Sequence, residues 1–173
     1  KKYSPWLQQL PKNNRPLKID SLNQTISFVK NTSDESIFTQ LLNIVPKQKL
    51  EVITIVSPYY DLKGEFLSEI YNHYKPIFLN CVIDAEYGLL PKAISENLKK
   101  ATSFYNWKDC KNDYNVRFNR LHAKIFHFQY SDGTEYLMLG SANATIAGMG
   151  GSSKHPVNIE AGIIVHRRSK TNF

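Results

Sequence analysis

Arg120-Leu-His122-Ala-Lys124-Ile-Phe-His-Phe128, then Asp132-Gly133, then Leu137-Met-Leu-Gly140-Ser141-Ala-Asn143-Ala-Thr145 is the stretch whose reading decides the fold. The apolar surroundings of His122 predict a strand running from Val116 to Gln129. Successive side chains alternate across a strand, so His122 and Lys124 share a face with Phe126 and Phe128, and Leu121, Ala123 and Ile125 take the other. Asp132-Gly133 is a strong hairpin signal that folds Tyr136 to Leu139 back beside the first strand. The returning strand ends at Gly140, with Ser141 and Asn143 directly after it. The hairpin thereby gathers an imidazole, an ammonium, a hydroxyl and a carboxamide. All four suit a phosphate. A neutral imidazole can attack phosphorus and split one hard displacement into two easier ones. Lysine is a point cation for non-bridging oxygens. The amide and hydroxyl donate hydrogen bonds that strengthen as charge builds on the transferring group. This chemistry calls for no metal and no other cofactor.

His122-x-Lys124 followed by Gly140-Ser141-x-Asn143 resembles the motif of the phospholipase D superfamily. Asn158-Ile-Glu160, read inside an apolar strand from Val157 to Val165, resembles the acidic element that closes that family's site. The resemblance covers residues 120 to 165 well, and about 50 to 85 loosely, as a strand-helix-strand unit. It is nearest in tone to nuclease-like and helicase-associated phospholipase D-like domains. It implies an α/β fold, a phospholipase D-like α-β-α sandwich in which a mixed, largely parallel sheet is flanked by helices. It also implies that His122 is the nucleophile, that Lys124 and Asn143 hold phosphate, and that Glu160 orients a histidine. A second histidine, from another copy of the motif, would protonate the leaving group. One position departs from the pattern: the family carries an aspartate where this chain has Gln129, and Asp132 is accounted for by the hairpin turn. That departure weighs more against a lipid-hydrolysing member than against catalysis.

A chain of 173 residues makes one ordinary domain with a substantial core. Hydrophobic residues at 42% and charged residues at 21% are globular values and exclude wholesale disorder. Twenty-two basic against fifteen acidic side chains leave a net charge of +7, which suits nucleic acid first and an anionic membrane surface second; a merely basic protein accounts for the charge equally well. Cys81 and Cys110 are too few for a disulfide framework and lack zinc-site spacing. No apolar run is long enough to span a membrane, and no signal peptide is evident. The start at Lys1 and the stop at Phe173 read as a single catalytic domain over 1–173, cytoplasmic, and a fragment of a longer protein or a trimmed chain.

Pro5, Pro11 and Pro16 with Asn13-Asn14 predict an irregular lead-in over residues 1–31, with room for a short strand or two between Ile19 and Val29. Its Lys12, Arg15 and Lys18 either touch phosphate or form a solvated face. Thr32-Ser-Asp-Glu35 reads as a capping box, with Thr32 as N-cap of a helix over 33–45 that Pro46 ends. A strand over Leu50 to Val56, a helix carrying Phe66, Leu67, Ile70, Tyr71 and Tyr74, and a strand over Ile77 to Ile83 make a βαβ unit. Ligands gather beyond the carboxyl ends of such strands, which puts Ser57, Tyr59, Tyr60 and Asp61 at one rim and Asp84 and Glu86 at another. Tyr59 and Tyr60 either stack on bases or cover the sheet edge. Leu89 to Ala101 reads as an amphipathic helix. Residues 102–115 carry Tyr105, Trp107, Lys108, Lys111 and Tyr114, which suit a single-stranded nucleic acid or a loop pinned by Trp107. Residues 148–153 are glycine-rich, either a phosphate cradle or a flexible connection. His73, His127, His155 and His166 receive no catalytic role.

One copy of the motif leaves one nucleophile without its acid. The expectation is a homodimer whose site lies on the two-fold axis, each chain giving His122, Lys124, Asn143 and Glu160. A second copy attached in a longer chain would serve instead. A carboxylate buried at Glu160 needs a partner, and His122 or its symmetry copy would supply one. The activity expected is a metal-independent phosphodiesterase or nuclease cleaving DNA or RNA through a phosphohistidine. Lys124, Ser141 and Asn143 would hold the phosphate, with Tyr59, Tyr60, Arg117 and Arg120 as nucleic-acid contacts. Its rivals are a phospholipase or phosphatidyltransferase of the same fold, and a non-catalytic nucleic-acid-binding module of a helicase or restriction system beside a flanking domain.

Overall fold

The computed structural model describes residues 19–21, 24–48, 50–110 and 120–168. In chain order the elements are β1 (Ile19–Ser21), β2 (Gln24–Lys30), α1 (Ile37–Ile44), β3 (Leu50–Val56), α2 (Glu65–Tyr74), β4 (Phe78–Ile83), α3 (Glu96–Ala101), β5 (Thr102–Asn106), β6 (Ile125–Tyr130), β7 (Thr134–Gly140), α4 (Ile146–Met149) and β8 (Ala161–Arg168). The eight strands form one sheet in the order β1-β2-β8-β7-β6-β3-β4-β5. No helix among the described residues is long and apolar enough to cross a membrane.

The α/β class and the helix-flanked mixed sheet agree with the sequence, but the strand directions do not. Only β3–β4 and β4–β5 are parallel; the other five neighbouring pairs are antiparallel, which corrects the expectation of a largely parallel sheet. Parallel pairing needs a crossover, and α2 and α3 supply those two. The Asp132-Gly133 turn joins β6 to β7 as the expected hairpin, Asp132 Oδ1 accepting from Thr134 N at 2.9 Å.

The core lies on one face of the sheet. Ile53, Ile55, Leu79, Cys81, Phe126, Phe128, Met138 and Ile164 are buried there with Ile37, Phe38 and Leu41 of α1, Phe66, Leu67 and Ile70 of α2, Leu98 of α3 and Met149 of α4. Edge-to-face contacts chain Phe38 to Phe66 and Phe66 to Phe126, with centroids 5.6 and 5.9 Å apart. Of the other parity, Phe28, Leu139 and Ile163 are 44%, 37% and 38% exposed, while Glu135 is 3% exposed. Among the described residues all four helices contribute side chains to this core.

Several boundaries also move. The lead-in holds β1 and β2 from Ile19 on, while residues 1–18, with Lys12, Arg15 and Lys18, lie outside the described residues. Thr32 Oγ1 does accept from Glu35 N at 2.9 Å, but α1 starts only at Ile37. Asn31 Oδ1 takes Ile37 N at 2.8 Å and Ser36 Oγ takes Thr39 N at 3.1 Å, so the N-cap is Ser36. The helix expected from Leu89 is only α3, because Lys92 N and Ala93 N are both spent on Leu62 O at 2.7 and 3.2 Å. Thr102–Asn106, expected in a loop, is the edge strand β5, and Trp107–Cys110 is a 3-10 turn. The motif strand begins at Ile125 and the last strand at Ala161, so His122, Lys124, Asn158 and Glu160 lie on the approaches to strands.

Candidate active site

The strand pairings bring the motif residues to one edge of the sheet. β3 and β4 end at the edge where β6 begins, where β7 ends and where β8 begins. The loops after Val56 and Ile83, the segment 120–124, the loop 140–145 and Glu160 therefore meet there.

His122 and Lys124 are brought together as the alternation predicts. Lys124 is 9% exposed, while the His122 side chain stands in solvent. Lys124 Nζ donates to the His122 carbonyl at 3.0 Å and lies 3.4 Å from His122 Nδ1. Burial lowers the pKa of the Lys124 ammonium, and the nearby Glu160 charge partly opposes this.

Across the β7–β8 pair, Gly140 sits opposite Gly162. A Cβ at Gly140 would fall 2.6 Å from Ala161 O, so only glycine lets the two backbones approach here. That approach puts Ser141 against Glu160. Ser141 Oγ donates to the Glu160 carboxylate and accepts from Ala161 N at 3.1 Å; Asn158 Nδ2 donates to Glu160 Oε1 at 3.1 Å. The expectation of a buried Glu160 paired with His122 of its own chain is corrected: Glu160 is half-buried and its partners are Ser141 and Asn158.

Asn143 is held by residues whose role the sequence did not disclose. Ser57 is fully buried, and its Oγ accepts from Ala144 N at 3.2 Å while donating to Tyr59 O at 2.9 Å. The Asp61 carboxylate accepts from Ile146 N at 3.1 Å and from Phe66 N at 2.9 Å, capping α4 and α2 at once. Burial raises the Asp61 pKa, against those two N–H groups. Asn31 Nδ2 donates to Gly148 O at 2.7 Å from the far side of the loop. Asn143 Oδ1 is buried with no hydrogen-bond partner among the described residues. That oxygen is an acceptor and calls for a donor.

Asp84 does for His122 what Ser57 does for Asn143. It is 1% exposed; Oδ1 accepts from Glu86 N at 3.2 Å and Tyr87 N at 3.0 Å, and Oδ2 accepts from Leu121 N at 3.0 Å. Burial alone would raise its pKa, but the three N–H groups outweigh it and hold the carboxyl below its ordinary range. Ser57, Asp61 and Asp84 were legible only as polar residues beyond strand ends. Of the nucleic-acid contacts read from the sequence, Tyr59 is 44% exposed and Arg120 is exposed. Tyr60 is fully buried, its hydroxyl 3.1 Å from Ile55 O and 3.2 Å from Val82 O, so it is a core residue and touches no ligand. Its backbone makes an isolated bridge to Ala144. Arg117 lies outside the described residues.

The sheet order gathers these residues at one edge, in a fold shared with the solved structures that follow. No family profile matches the chain, and no curated protein matches it by sequence. Among solved structures, a mutant of yeast tyrosyl-DNA phosphodiesterase superposes with a TM-score of 0.56 at 16% identity, over 86% of this chain and 33% of that one. The unmutated yeast enzyme gives 0.54 at 14% identity, over 86% and 34%. Nuc from Salmonella typhimurium, a phospholipase D family member, gives 0.47 at 13% identity, over 83% and 84%. The chain thus spans about a third of the yeast enzyme's length.

Proposed function

We propose that this chain is a metal-independent phosphodiesterase that cleaves nucleic acid. His122 attacks phosphorus, the P–O bond to the leaving strand breaks, and a phosphohistidine forms. A second histidine, His122 of another copy, gives its proton to the departing oxygen; it then takes one from the water that attacks phosphorus, and the P–N bond breaks to return His122. Lys124, Asn143 and Ser141 stabilise the non-bridging oxygens. The observation that carries this reading is the meeting of the His122–Lys124 pair, Asn143 and the Ser141–Glu160 pair at one sheet edge. The net charge of +7 and the yeast neighbour, whose name gives it a DNA substrate, support nucleic acid over lipid.

The state of His122 supports a site shared by two copies. Attack by Nε2 requires the ring proton on Nδ1, held there by an acceptor. In one chain Nδ1 faces an ammonium donor, Lys124 Nζ, and Glu160 is engaged elsewhere. A carboxylate from a second copy would set the productive tautomer. Val157 and Ile159, 84% and 92% exposed on either side of Asn158, offer apolar surface for that contact. The same pair would suit a lipid surface, so phosphatidylcholine is a second substrate to assay.

The test is cleavage of end-labelled single- and double-stranded DNA in excess EDTA, with wild type and His122→Ala side by side and the mass in solution measured by sedimentation. Cleavage by a dimeric wild type alone is expected. A folded wild type that leaves DNA and RNA intact overturns the nuclease reading, and phosphatidylcholine hydrolysis would then replace it with the lipid one.

A further inference from the structure

Beside the motif segment two loops are zipped together. Leu89 N donates to Pro58 O at 3.0 Å and Tyr60 N donates to Leu89 O at 2.8 Å. Gly88 permits the approach, since a Cβ there would lie 2.3 Å from Pro58 O and 2.5 Å from Asp84 O. The result is a rim on which Tyr59, Tyr87 and Leu89 are 44%, 43% and 43% exposed. The Asp84 carboxylate binds Tyr87 N and Leu121 N together, so this rim is fixed against the chain leading into His122.

Two cations converge on the Tyr87 ring. The Arg120 guanidinium lies 4.8 Å from its centroid and the Lys108 ammonium 5.7 Å. They differ in their partners. Lys108 is paired with Glu86, whereas Arg120 has no carboxylate partner among the described residues. A guanidinium stacked on an aromatic face keeps its N–H groups in its own plane, free to fork onto a phosphate. Pinning the turn would not by itself require an arginine left unpaired beside a nucleophile. Arg120 is two residues from His122, at most about 7 Å along an extended backbone. Neighbouring phosphates on a strand are one sugar apart, a separation comparable with that between Arg120 and His122, so an arginine there can reach the neighbour of the scissile phosphate.

We propose that Arg120, seated on Tyr87, binds the phosphate flanking the scissile one, with Tyr59 and Tyr87 giving aromatic surface to an unpaired base. The site then reads a nucleic-acid strand by at least two consecutive phosphates and prefers it to an isolated diester. This rests on the nucleic-acid reading above and names the part of the strand that is recognised.

The test compares a fluorescein-labelled ten-nucleotide single-stranded DNA with bis(4-nitrophenyl) phosphate, which has no flanking phosphate. Arg120→Gln and Tyr87→Leu are expected to lower kcat/KM on the oligonucleotide about tenfold more than on the small diester, mainly through KM. Arg120→Gln also makes the slope of log(kcat/KM) against log salt shallower by about 0.7, the share of one phosphate in a single strand. Tyr87→Phe, which keeps the ring, restores the preference that Tyr87→Leu loses. Equal losses on both substrates, or an unchanged oligonucleotide KM and salt slope, overturn the proposal. If wild type cleaves neither substrate the nuclease reading fails by itself. Anisotropy of the labelled strand then decides this one: Arg120→Gln must weaken binding and flatten its salt slope, and identical isotherms overturn it.

Discussion

Replacing Asp84 by asparagine separates its two oxygens. The carboxylate accepts from three backbone N–H groups, two in its own turn and one at Leu121, 37 residues away. Asparagine keeps one carbonyl oxygen and puts an NH2 group in place of the other. Whichever way the amide settles, a donor then faces a donor, at Leu121 or in the turn. A buried donor left unsatisfied costs about 1–3 kcal/mol. Leu121 is only half-buried, so water recovers part of it, and about 2 kcal/mol is expected. In a domain of this size each kcal/mol moves Tm by about 2–4 °C, so the melt should fall by about 4–8 °C at pH 7. The effect on activity should exceed the effect on stability. Leu121 precedes His122, and a nucleophile displaced by about 1 Å loses on the order of 10²-fold in rate. The pH dependence gives an independent reading. The folded pKa of Asp84 is depressed, so its stabilisation is complete above the ordinary carboxylate value and is lost as pH falls through the lower folded value. Asp84→Asn should lack that acid limb. Circular-dichroism melts between pH 2 and 7, beside oligonucleotide cleavage, measure both. A variant that melts within about 1 °C of wild type and cleaves at the wild-type rate would show that Asp84 does not hold the motif.

Three further outcomes follow from the same geometry. Gly140→Ala would push a Cβ to 2.6 Å from Ala161 O and 2.9 Å from Gly162 Cα, so it should cost about 1–3 kcal/mol in a urea melt and separate Ser141 from Glu160. Burial depresses the Lys124 pKa, so the alkaline fall in kcat/KM should lie below the ordinary lysine range; Lys124→Arg should lose that limb, and Lys124→Met should lower kcat about 10²–10³-fold. On the sheet face opposite Phe126 and Phe128, burial lowers the His127 pKa although Glu135 lies 3.6 Å away. The unfolded chain therefore takes up that proton first, so stability should fall as pH drops below the ordinary histidine value near 6.5, and His127→Gln should flatten the melting temperature in that window.

The sequence discloses best what is decided locally. The β-branched run at Leu50–Val56, the apolar spacing of α2 and the Asp132-Gly133 turn each fix their own element, and each is where it was expected. The His122–Lys124 pairing is of the same kind, since alternation along an extended backbone suffices. What stayed hidden was decided by contacts distant in sequence. The directions of β2 and β8, and of β6 against β3, depend on how the chain re-enters the sheet, which no local period encodes. The helix expected at Leu89 is cut short by a carbonyl at Leu62. Tyr59 and Tyr60 look alike as letters; the hydroxyl of the second reaches the carbonyls of Ile55 and Val82 inside the core, and the first remains open. Glu160 was legible as an acid near the site, but its partner depends on the close approach of Gly140 to Ala161.

The central claim is that His122 is the nucleophile, and the covalent intermediate tests it most directly. Wild type and His122→Asn would be mixed with an oligonucleotide radiolabelled at the scissile phosphate in excess EDTA. The reaction would be quenched in alkaline denaturant, which preserves a phosphohistidine, and the labelled peptide located by mass spectrometry. The account predicts label on the wild-type peptide containing His122 and none on the variant, which should also fail to cleave. Cleavage by His122→Asn at the wild-type rate, or label on a different residue, would contradict it.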